Sequence, residues 1–278
     1  MTTPLCPAEL IFLSGADAVA FAHAQFTSDI AALPTGAWQW STWLDPQGRA
    51  RAFFAVLRVE PERLLLWLPL GGATAMRDAL ARFVLRAKVQ VEAASDWTLH
   101  ALEPGDMALP AADAVVTHMG GYAFLQPGEP ARIAWLAHVE GAAANPDELV
   151  RWRRADIAAR LPLLAPELAG EFVAQALDLE RLDAIRFDKG CYPGQEIVAR
   201  LHFRGGNKRH PHRVRVDGAP PACATPIVDG DGSGVGRILY ATTGANAGTS
   251  EALAVLIDES GERTLRTEEG TFIHCFNS

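Results

Sequence analysis

Two adjacent glycines, Gly205 and Gly206, separate two parts of the chain that have different local patterns. Before them, segments with helical spacing of apolar residues alternate with strand-like segments. After them, "HRVRV", "PIVDGDGSGVGRILYATT", "EALAVLID" and "GTFIHCF" are short, are bounded by turns and contain no good helix. The pattern predicts an α+β fold rather than an orderly parallel βαβ series, with a small all-β, barrel-like domain over residues 205–278.

The first hundred residues predict helices and hairpins in alternation. Ser14 and Asp17 have the spacing of a capping box ahead of "AVAFAHAQFTSDIAAL", whose apolar residues recur at near-helical spacing. "WQWSTWLDPQGRARAFFAVLRV" predicts two strands joined by a turn at 45–48, and a third strand is expected over 63–69. "ATAMRDALARFVLRA" then has helical spacing, and "KVQVEA" alternates like a strand.

Residues 97–140 contain short strand-like segments punctuated by glycine and proline. We therefore expect residues 1–204 to form two intertwined α+β subdomains that meet near this stretch. Asn145 and Glu148, with a proline between them, supply the N-cap and first turn of a helix through "DELVRWRRADIAARL". Mixed loops and short helices are expected over 161–182.

The composition is that of a globular protein, because 49% of the 278 residues are hydrophobic and can fill a sizeable core. The net charge of −8 disfavours non-specific attraction to DNA or anionic lipid. The N-terminus "MTTPLCPAEL" lacks the features of a signal peptide, and the longest apolar run, "LLLWLPL", is too short to cross a bilayer. We expect a cytoplasmic protein with no membrane partner.

The cysteines are far apart and form no C-x-x-C pair, which predicts a reducing compartment and no thiolate zinc site. His210 and His212 are placed to face one side of a strand, but no third ligand is suggested, so no firmly bound metal is expected. The four cysteines are Cys6, Cys191, Cys223 and Cys275.

Residues 186–216 are strongly basic in an otherwise acidic chain. They hold eight basic and two acidic residues, which gives +6 against −14 for the remainder. The stretch is either a solvated strand face or a local anion site, and nucleic acid and a polyglutamylated cofactor are both suitable anions. Its basic residues are Arg186, Lys189, Arg200, Arg204, Lys208, Arg209, Arg213 and Arg215.

Cys191 lies in this stretch, within "KGCYPGQE". The proline and glycine that follow Tyr192 occupy the two centre positions of a type II turn, and Gln195 begins a short helix that ends at the two glycines. A thiol near a helix N-terminus, with Lys189 two residues away, is in an environment that favours the thiolate. The alternatives are that Cys191 is a small buried hydrophobic residue and that Gln195 and Glu196 only cap the helix.

"KGCYPGQEIVAR", followed by "FRGGNKR", resembles the signature of the YgfZ-type folate-binding and iron–sulfur cluster assembly family, which is related to the glycine cleavage T-protein, an aminomethyltransferase. "WLDPQGRARA", "EFVAQALDLERLDAIRFDKGCY" and "GVGRILYATT" resemble other parts of the same family, so the similarity covers nearly the whole chain. The resemblance implies a T-protein-like fold around a central channel that holds tetrahydrofolate. It also implies a role in making or maintaining iron–sulfur clusters in client enzymes, including those that thiolate tRNA.

By the same resemblance, Cys191 is the key cysteine, and Lys189 is expected to act with it. Gln175, Gln195 and Glu196 are expected to contact the folate, and the basic residues Arg200 and Arg204 are expected to hold its anionic tail or a partner. The sequence departs from the family at Ala174, where proline is frequent. It also has no acid between Asp45 and Glu60, where the transferases carry an acidic pair that handles the proton of the folate nitrogen.

Three functional hypotheses follow from the sequence. The favoured one is a folate-binding accessory protein for iron–sulfur enzymes, with cluster-assembly proteins and tRNA-modifying enzymes as partners. The second is a folate-dependent aminomethyltransferase or demethylase, which the missing acidic pair disfavours. The third is an RNA-binding module that uses the basic stretch.

Overall fold

The structure is a computed structural model that describes residues 2–103, 105, 107–139, 143–258 and 264–276. An eight-stranded antiparallel sheet occupies the first half of the chain, with strand order β2-β3-β4-β1-β5-β8-β7-β6. Its strands are β1 (Thr2–Ser14), β2 (Ala37–Leu44), β3 (Ala50–Glu60), β4 (Arg63–Leu68), β5 (Gln90–Leu102), β6 (Val115–His118), β7 (Gly121–Gln126) and β8 (Arg132–Ala137).

Among the described residues before the barrel, four α-helices and three short 3-10 turns complete the fold. They are α1 (Ala18–Gln25), α2 (Ala73–Ala81), α3 (Pro146–Ala158) and α4 (Gln195–Arg204), with 3-10 turns at Pro166–Leu168, Ala174–Leu177 and Leu179–Leu182. The expected mixture of loops and short helices over 161–182 is therefore confirmed. Within the described ranges, no helix is long and apolar enough to cross a membrane.

The C-terminal part is a closed six-stranded barrel with strand order β10-β11-β12-β9-β14-β13, in which pairing of β10 with β13 completes the ring. Together with the sheet and helices before it, the barrel confirms the predicted α+β class. The strands are β9 (Arg209–Asp217), β10 (Pro226–Val228), β11 (Gly234–Thr243), β12 (Thr249–Ile257), β13 (Leu265–Thr267) and β14 (Phe272–Cys275).

The long first strand, β1, is absent from the sequence predictions. It lies between β4 and β5, and Leu10, Ile11, Phe12 and Leu13 are all buried because both faces of the sheet are covered there. A strand buried on both faces has no alternation of apolar and polar residues, so a period of two cannot reveal it. Its pairing with β5 is also irregular, with register shifts between Pro4 and Cys6 and between Ala8 and Leu10.

Three helix predictions need correction. The capping box of Ser14 and Asp17 is wrong, because Ser14 ends β1 and Asp17 forms no side-chain cap on α1. The Asp17 carboxylate instead accepts a hydrogen bond from Lys88 N at 2.7 Å. Helices α1 and α2 end at Gln25 and Ala81, both earlier than the spacing predicted. Asn145 caps α3 as expected by accepting from Glu148 N at 3.1 Å.

Helix α3 joins the sheet to the barrel through ion pairs. Asp156, which is 2% exposed, pairs with Arg132 of β8 at 2.9 Å and with Arg153 of its own helix at 3.2 Å. Next to Arg153 in the same helix, Arg154 pairs with Glu251 of β12 at 3.1 Å. The helix therefore fixes the position of the barrel relative to the sheet.

Removing the buried carboxylate tests this role. We expect Asp156→Ala to lower the free energy of unfolding by about 3–5 kcal/mol, because two arginines lose their buried partner. The matched control is Asp78→Ala, whose exposed carboxylate pairs with Arg77 and should contribute less than about 1 kcal/mol. Urea unfolding of both variants provides the comparison, and equal effects would contradict the assignment.

Candidate functional site

The turn that carries Cys191 has the geometry expected from its sequence. Gly194 has a φ of 79°, and Gln195 N donates to the Tyr192 carbonyl oxygen at 3.2 Å, as a type II turn requires. Helix α4 begins at Gln195 and ends at Arg204, and the following Gly205, with a φ of 70°, is its C-cap. These predictions of local structure are confirmed.

The turn rests against the loop between β2 and β3. A β-carbon placed on Gly194 would lie 2.5 Å from the Asp45 carbonyl oxygen and 2.8 Å from the Cα of Gly48. Only glycine fits there, because the backbones of the two turns are in contact and the φ angle is positive. The cysteine turn is therefore supported by a sheet hairpin more than 140 residues away in sequence.

Lys189 fastens the other side of the turn. Its ammonium donates hydrogen bonds to three backbone carbonyls at the end of α1 and just beyond it, those of His23 at 2.6 Å, Phe26 at 2.6 Å and Ser28 at 2.9 Å. Burial lowers the pKa of Lys189 to about 8, and the Asp29 carboxylate opposes that shift. All three N–H groups are used in bonds to the last turn of α1 and the residues just beyond it, so the contacts give Lys189 a positioning role, and a catalytic role stays a prediction.

The chain leading into the turn follows the segment after α1 closely. Thr27 Oγ1 donates to the Ala184 carbonyl at 2.6 Å, and Arg186 N donates to the Thr27 carbonyl at 2.9 Å. The Tyr192 hydroxyl donates back to the Arg186 carbonyl at 3.1 Å, while its ring is buried. Backbone and side-chain bonds together restrict the turn to one position.

Cys191 itself is exposed, and no described residue makes a hydrogen bond to its sulfur. The other three cysteines are partly buried, and burial raises the pKa of each of those thiols, Cys6, Cys223 and Cys275. Cys191 is therefore the accessible thiol of the four. The alternative that it is a buried hydrophobic residue is wrong.

His23 is a neighbour of the turn that the sequence did not identify. Its Nε2 lies 3.6 Å from where a β-carbon on Gly190 would be, and its Nδ1 accepts from Ala31 N at 3.2 Å. Burial and the positive charge of Lys189 lower the pKa of His23, so the imidazole is neutral at physiological pH. No local pattern links His23 to a cysteine 168 positions later.

The outer face of α4 is basic and aromatic. Glu196, Arg200 and Arg204 are exposed, and Phe203 is 75% exposed. Within the described part of the chain, no ion pair joins Glu196 to Arg200, so the side chains of both arginines are available to an external group. Phe187 stacks on His202 at 4.2 Å on the adjoining face.

Gln175 lies on the inner side of α4. Its Nε2 donates to the Val198 carbonyl at 2.8 Å, and its Oε1 is buried without a hydrogen-bond partner. The residue lines a cavity of about 290 Å³ together with Leu201, His202 and Asn207. An unpaired buried acceptor beside a cavity fits a ligand that carries N–H groups.

The structure does not gather all of the predicted folate residues in that cavity. Gln195, Glu196, Arg200 and Arg204 belong to α4 but do not line it, and their contacts with folate stay predictions. The tryptophans Trp38, Trp40 and Trp43 are buried and pack in the core of the sheet. Among the described residues, no group of three histidine, cysteine or acidic side chains is placed to hold a metal ion.

The fold is that of the glycine cleavage T-protein. The aminomethyltransferase T of the glycine cleavage system from Bartonella henselae superposes with a TM-score of 0.65 at 16% identity, covering all of this chain and 84% of that one. No family model matches the chain.

Sequence comparison identifies relatives in several bacteria. A protein of Haemophilus influenzae described as uncharacterized is 32% identical over 204 residues, which cover 72% of this chain and 68% of the relative. The tRNA-modifying protein YgfZ of Yersinia enterocolitica is 30% identical over 222 residues, covering 72% of this chain and 66% of that protein, just under two thirds of its length. The protein of the same name from Yersinia pestis is 30% identical over 226 residues. The chain belongs to the YgfZ-type family, as the resemblance in sequence predicted.

Selective alkylation tests the exposure of Cys191. We expect iodoacetamide near pH 7.5 to modify Cys191 before the other three cysteines, because the reactive thiolate must be both formed and reachable. Peptide mass spectrometry of the native protein identifies the modified site, and Cys191→Ser should remove the fast phase. Modification of Cys223 or Cys275 at the same rate would contradict the assignment.

Lys189→Met tests the positioning role. At pH 7 we expect a loss of about 1–3 kcal/mol in the free energy of unfolding, because three buried carbonyls lose their donor. Since the pKa is about 8 when folded and 10.5 when unfolded, the stability of the wild type should rise relative to the variant between those pH values. Urea unfolding from pH 7 to 10 measures this difference. Lys208→Met, at an exposed site, is the control. A difference in free energy of unfolding between the wild type and Lys189→Met that does not change with pH would contradict the assignment.

Proposed function

We propose that the protein is a tetrahydrofolate-binding accessory factor for the synthesis or maintenance of iron–sulfur clusters in client enzymes, including enzymes that thiolate tRNA. The observation that carries the proposal is the exposed thiol of Cys191 on a turn held by Lys189 and Gly194, in a chain of the YgfZ-type family. The name of the Yersinia relatives, tRNA-modifying protein, supports the link to tRNA.

A thiol presented in this way suits sulfur or cluster chemistry. A thiolate is a nucleophile and a soft ligand for iron, and both uses need an accessible sulfur on a backbone that does not move. The three carbonyl bonds of Lys189 and the close contact at Gly194 provide that rigidity. Cys191 would act in transient contact with a cluster or in sulfur redox chemistry, and iron–sulfur enzymes or cluster-assembly proteins would be its partners.

The folate part of the proposal rests on Gln175. Its unpaired Oε1 is suited to accept from a pterin N–H, with Leu201 beside it as an apolar wall. Gln195, Glu196, Arg200 and Arg204 are proposed as further contacts along α4. When bound, tetrahydrofolate supplies a carrier for one-carbon groups.

The hairpin that follows Gly48 argues against an aminomethyltransferase or demethylase. Arg49 donates to the Glu171 carbonyl at 2.8 Å, and the guanidinium of Arg51 lies over the Trp43 ring at 4.9 Å. Residues 49–59 contain no carboxylate, so side chains of this stretch cannot supply a general acid or base. A protein that binds folate without this group is better suited to an accessory role than to turnover.

Direct RNA binding is a second candidate, favoured by the surface of α4. An exposed phenylalanine, Phe203, stands between Arg200 and Arg204, and aromatic rings and guanidinium groups are the usual platforms for unpaired bases. Neutralising Arg204, Lys208 and Arg209 together should then weaken salt-dependent binding of tRNA by about tenfold or more, as measured by filter binding. Unchanged affinity would remove this candidate.

The experiment that tests the first proposal is an anaerobic calorimetric titration with tetrahydrofolate. We expect saturable binding with one site per chain, weakened by about tenfold in Gln175→Leu because the pterin loses its acceptor. Gln90→Leu, at an exposed site in β5, is the control.

A second assay tests for turnover, and methylene-tetrahydrofolate should not form from aminomethyl donors. Absence of binding would overturn the folate part of the proposal, and turnover would favour the transferase.

A further inference from the structure

A second cavity of about 490 Å³ lies between α3 and the barrel. Its walls come from the residues that follow α3, from β9 and from the end of the chain, with Arg160, His212, Arg213 and Phe276 among them. Asp178 and His210 line both this cavity and the one beside Gln175. The two cavities therefore adjoin, and we call the larger one the Arg160–Arg213 cleft.

The cleft has two guanidinium groups that are suited to bind anions. The Arg160 side chain is exposed and has no partner among the described residues. Arg213 lies 4.7 Å above the Phe276 ring, and its Nε is buried without a hydrogen-bond partner. Its only ion pair within the described ranges is a long one, 3.7 Å to Glu251, which Arg154 holds more closely at 3.1 Å.

The remaining groups of the cleft restrict the kind of anion. His210 is flanked by two carboxylates, Asp178 at 3.0 Å and Asp258 at 3.6 Å, which would repel a densely charged polyphosphate. Nε2 of His212 is buried and unpaired, and burial lowers the pKa of His212 so that the ring is neutral. Neutral imidazole and aspartate are partners for amide groups. The cleft therefore fits spaced carboxylates separated by amides.

The backbone of the cleft is strained at two positions. Arg160 has a φ of 51° and Asp178 a φ of 50°, which is the left-handed region that residues with a side chain rarely adopt. Residues in this region are strained and cluster at binding sites. Asp178 is strained at the point that the two cavities share.

We propose that the Arg160–Arg213 cleft binds an acidic, peptide-like chain, with one carboxylate on each guanidinium and amide groups along the imidazoles. The chemistry has two sources, the γ-glutamyl tail of a polyglutamylated folate and an acidic protein segment. The first source rests on the proposed function, since a folate at Gln175 would extend its tail past Asp178 into the cleft. The second source, an acidic protein segment, does not depend on the proposed function.

The test compares three probes by calorimetry: tetrahydrofolate with one glutamate, tetrahydrofolate with five, and a free pentaglutamate peptide. We expect the five-glutamate form to bind about tenfold more tightly than the one-glutamate form, and Arg160→Gln to abolish that difference. Arg213→Gln is the second variant. Arg86→Gln, at an exposed arginine elsewhere, is the control and should retain the difference.

The outcomes separate the two proposals. Binding of the free peptide that depends on Arg160, with equal affinities for the two folates, supports the cleft and assigns it to a protein segment. Failure of both folates to bind overturns the folate site, and the free peptide then still decides on the cleft. The proposal is wrong if neither the affinity difference between the two folates nor the affinity for the free peptide changes in Arg160→Gln or Arg213→Gln.

Discussion

The bonds between the Lys189 ammonium and the three carbonyls at the end of α1 are the interaction on which the site depends. The lysine is tolerated at this buried position because the carbonyl of His23 in the last turn of α1 and two carbonyls just beyond the helix accept its N–H groups. The bonds bring the chain before α4 onto α1, and the approach of Gly194 to the β2–β3 turn fixes it from the other side. Cys191 lies between these two contacts in the sequence and is exposed.

Helix α3 connects the sheet to the barrel through ion pairs. Its buried Asp156 ties it to the sheet, and Arg154 ties it to the barrel. The two cavities that share Asp178 are lined by residues of α3, α4, the short helical turns and the barrel, so contacts that place the barrel against the helices also shape these cavities. Gln175 contacts the inner side of α4, next to a cavity, through its bond to the Val198 carbonyl. Cys191 precedes α4 and is exposed, so the thiol and the cavities lie on different surfaces.

The sequence predicted the features that local chemistry determines. The turn at Gly194 follows from a proline and glycine pair, the cap at Asn145 follows from its side chain, and the barrel follows from short strands between turns. It did not reveal β1, which lacks alternation because both of its faces are buried, or His23, whose relation to the turn exists only after folding. The acceptors of Lys189 are backbone carbonyls, which every residue has, so no residue type could identify them.

The measurement that tests the account most directly is complementation in a bacterium that lacks its own YgfZ-type protein. The activity of an iron–sulfur enzyme would be measured in cells that express the wild type, Cys191→Ser or Cys223→Ser at equal levels. The account predicts that the wild type and Cys223→Ser restore activity and that Cys191→Ser does not. Full restoration by Cys191→Ser would remove the exposed thiol from the mechanism and contradict the central claim.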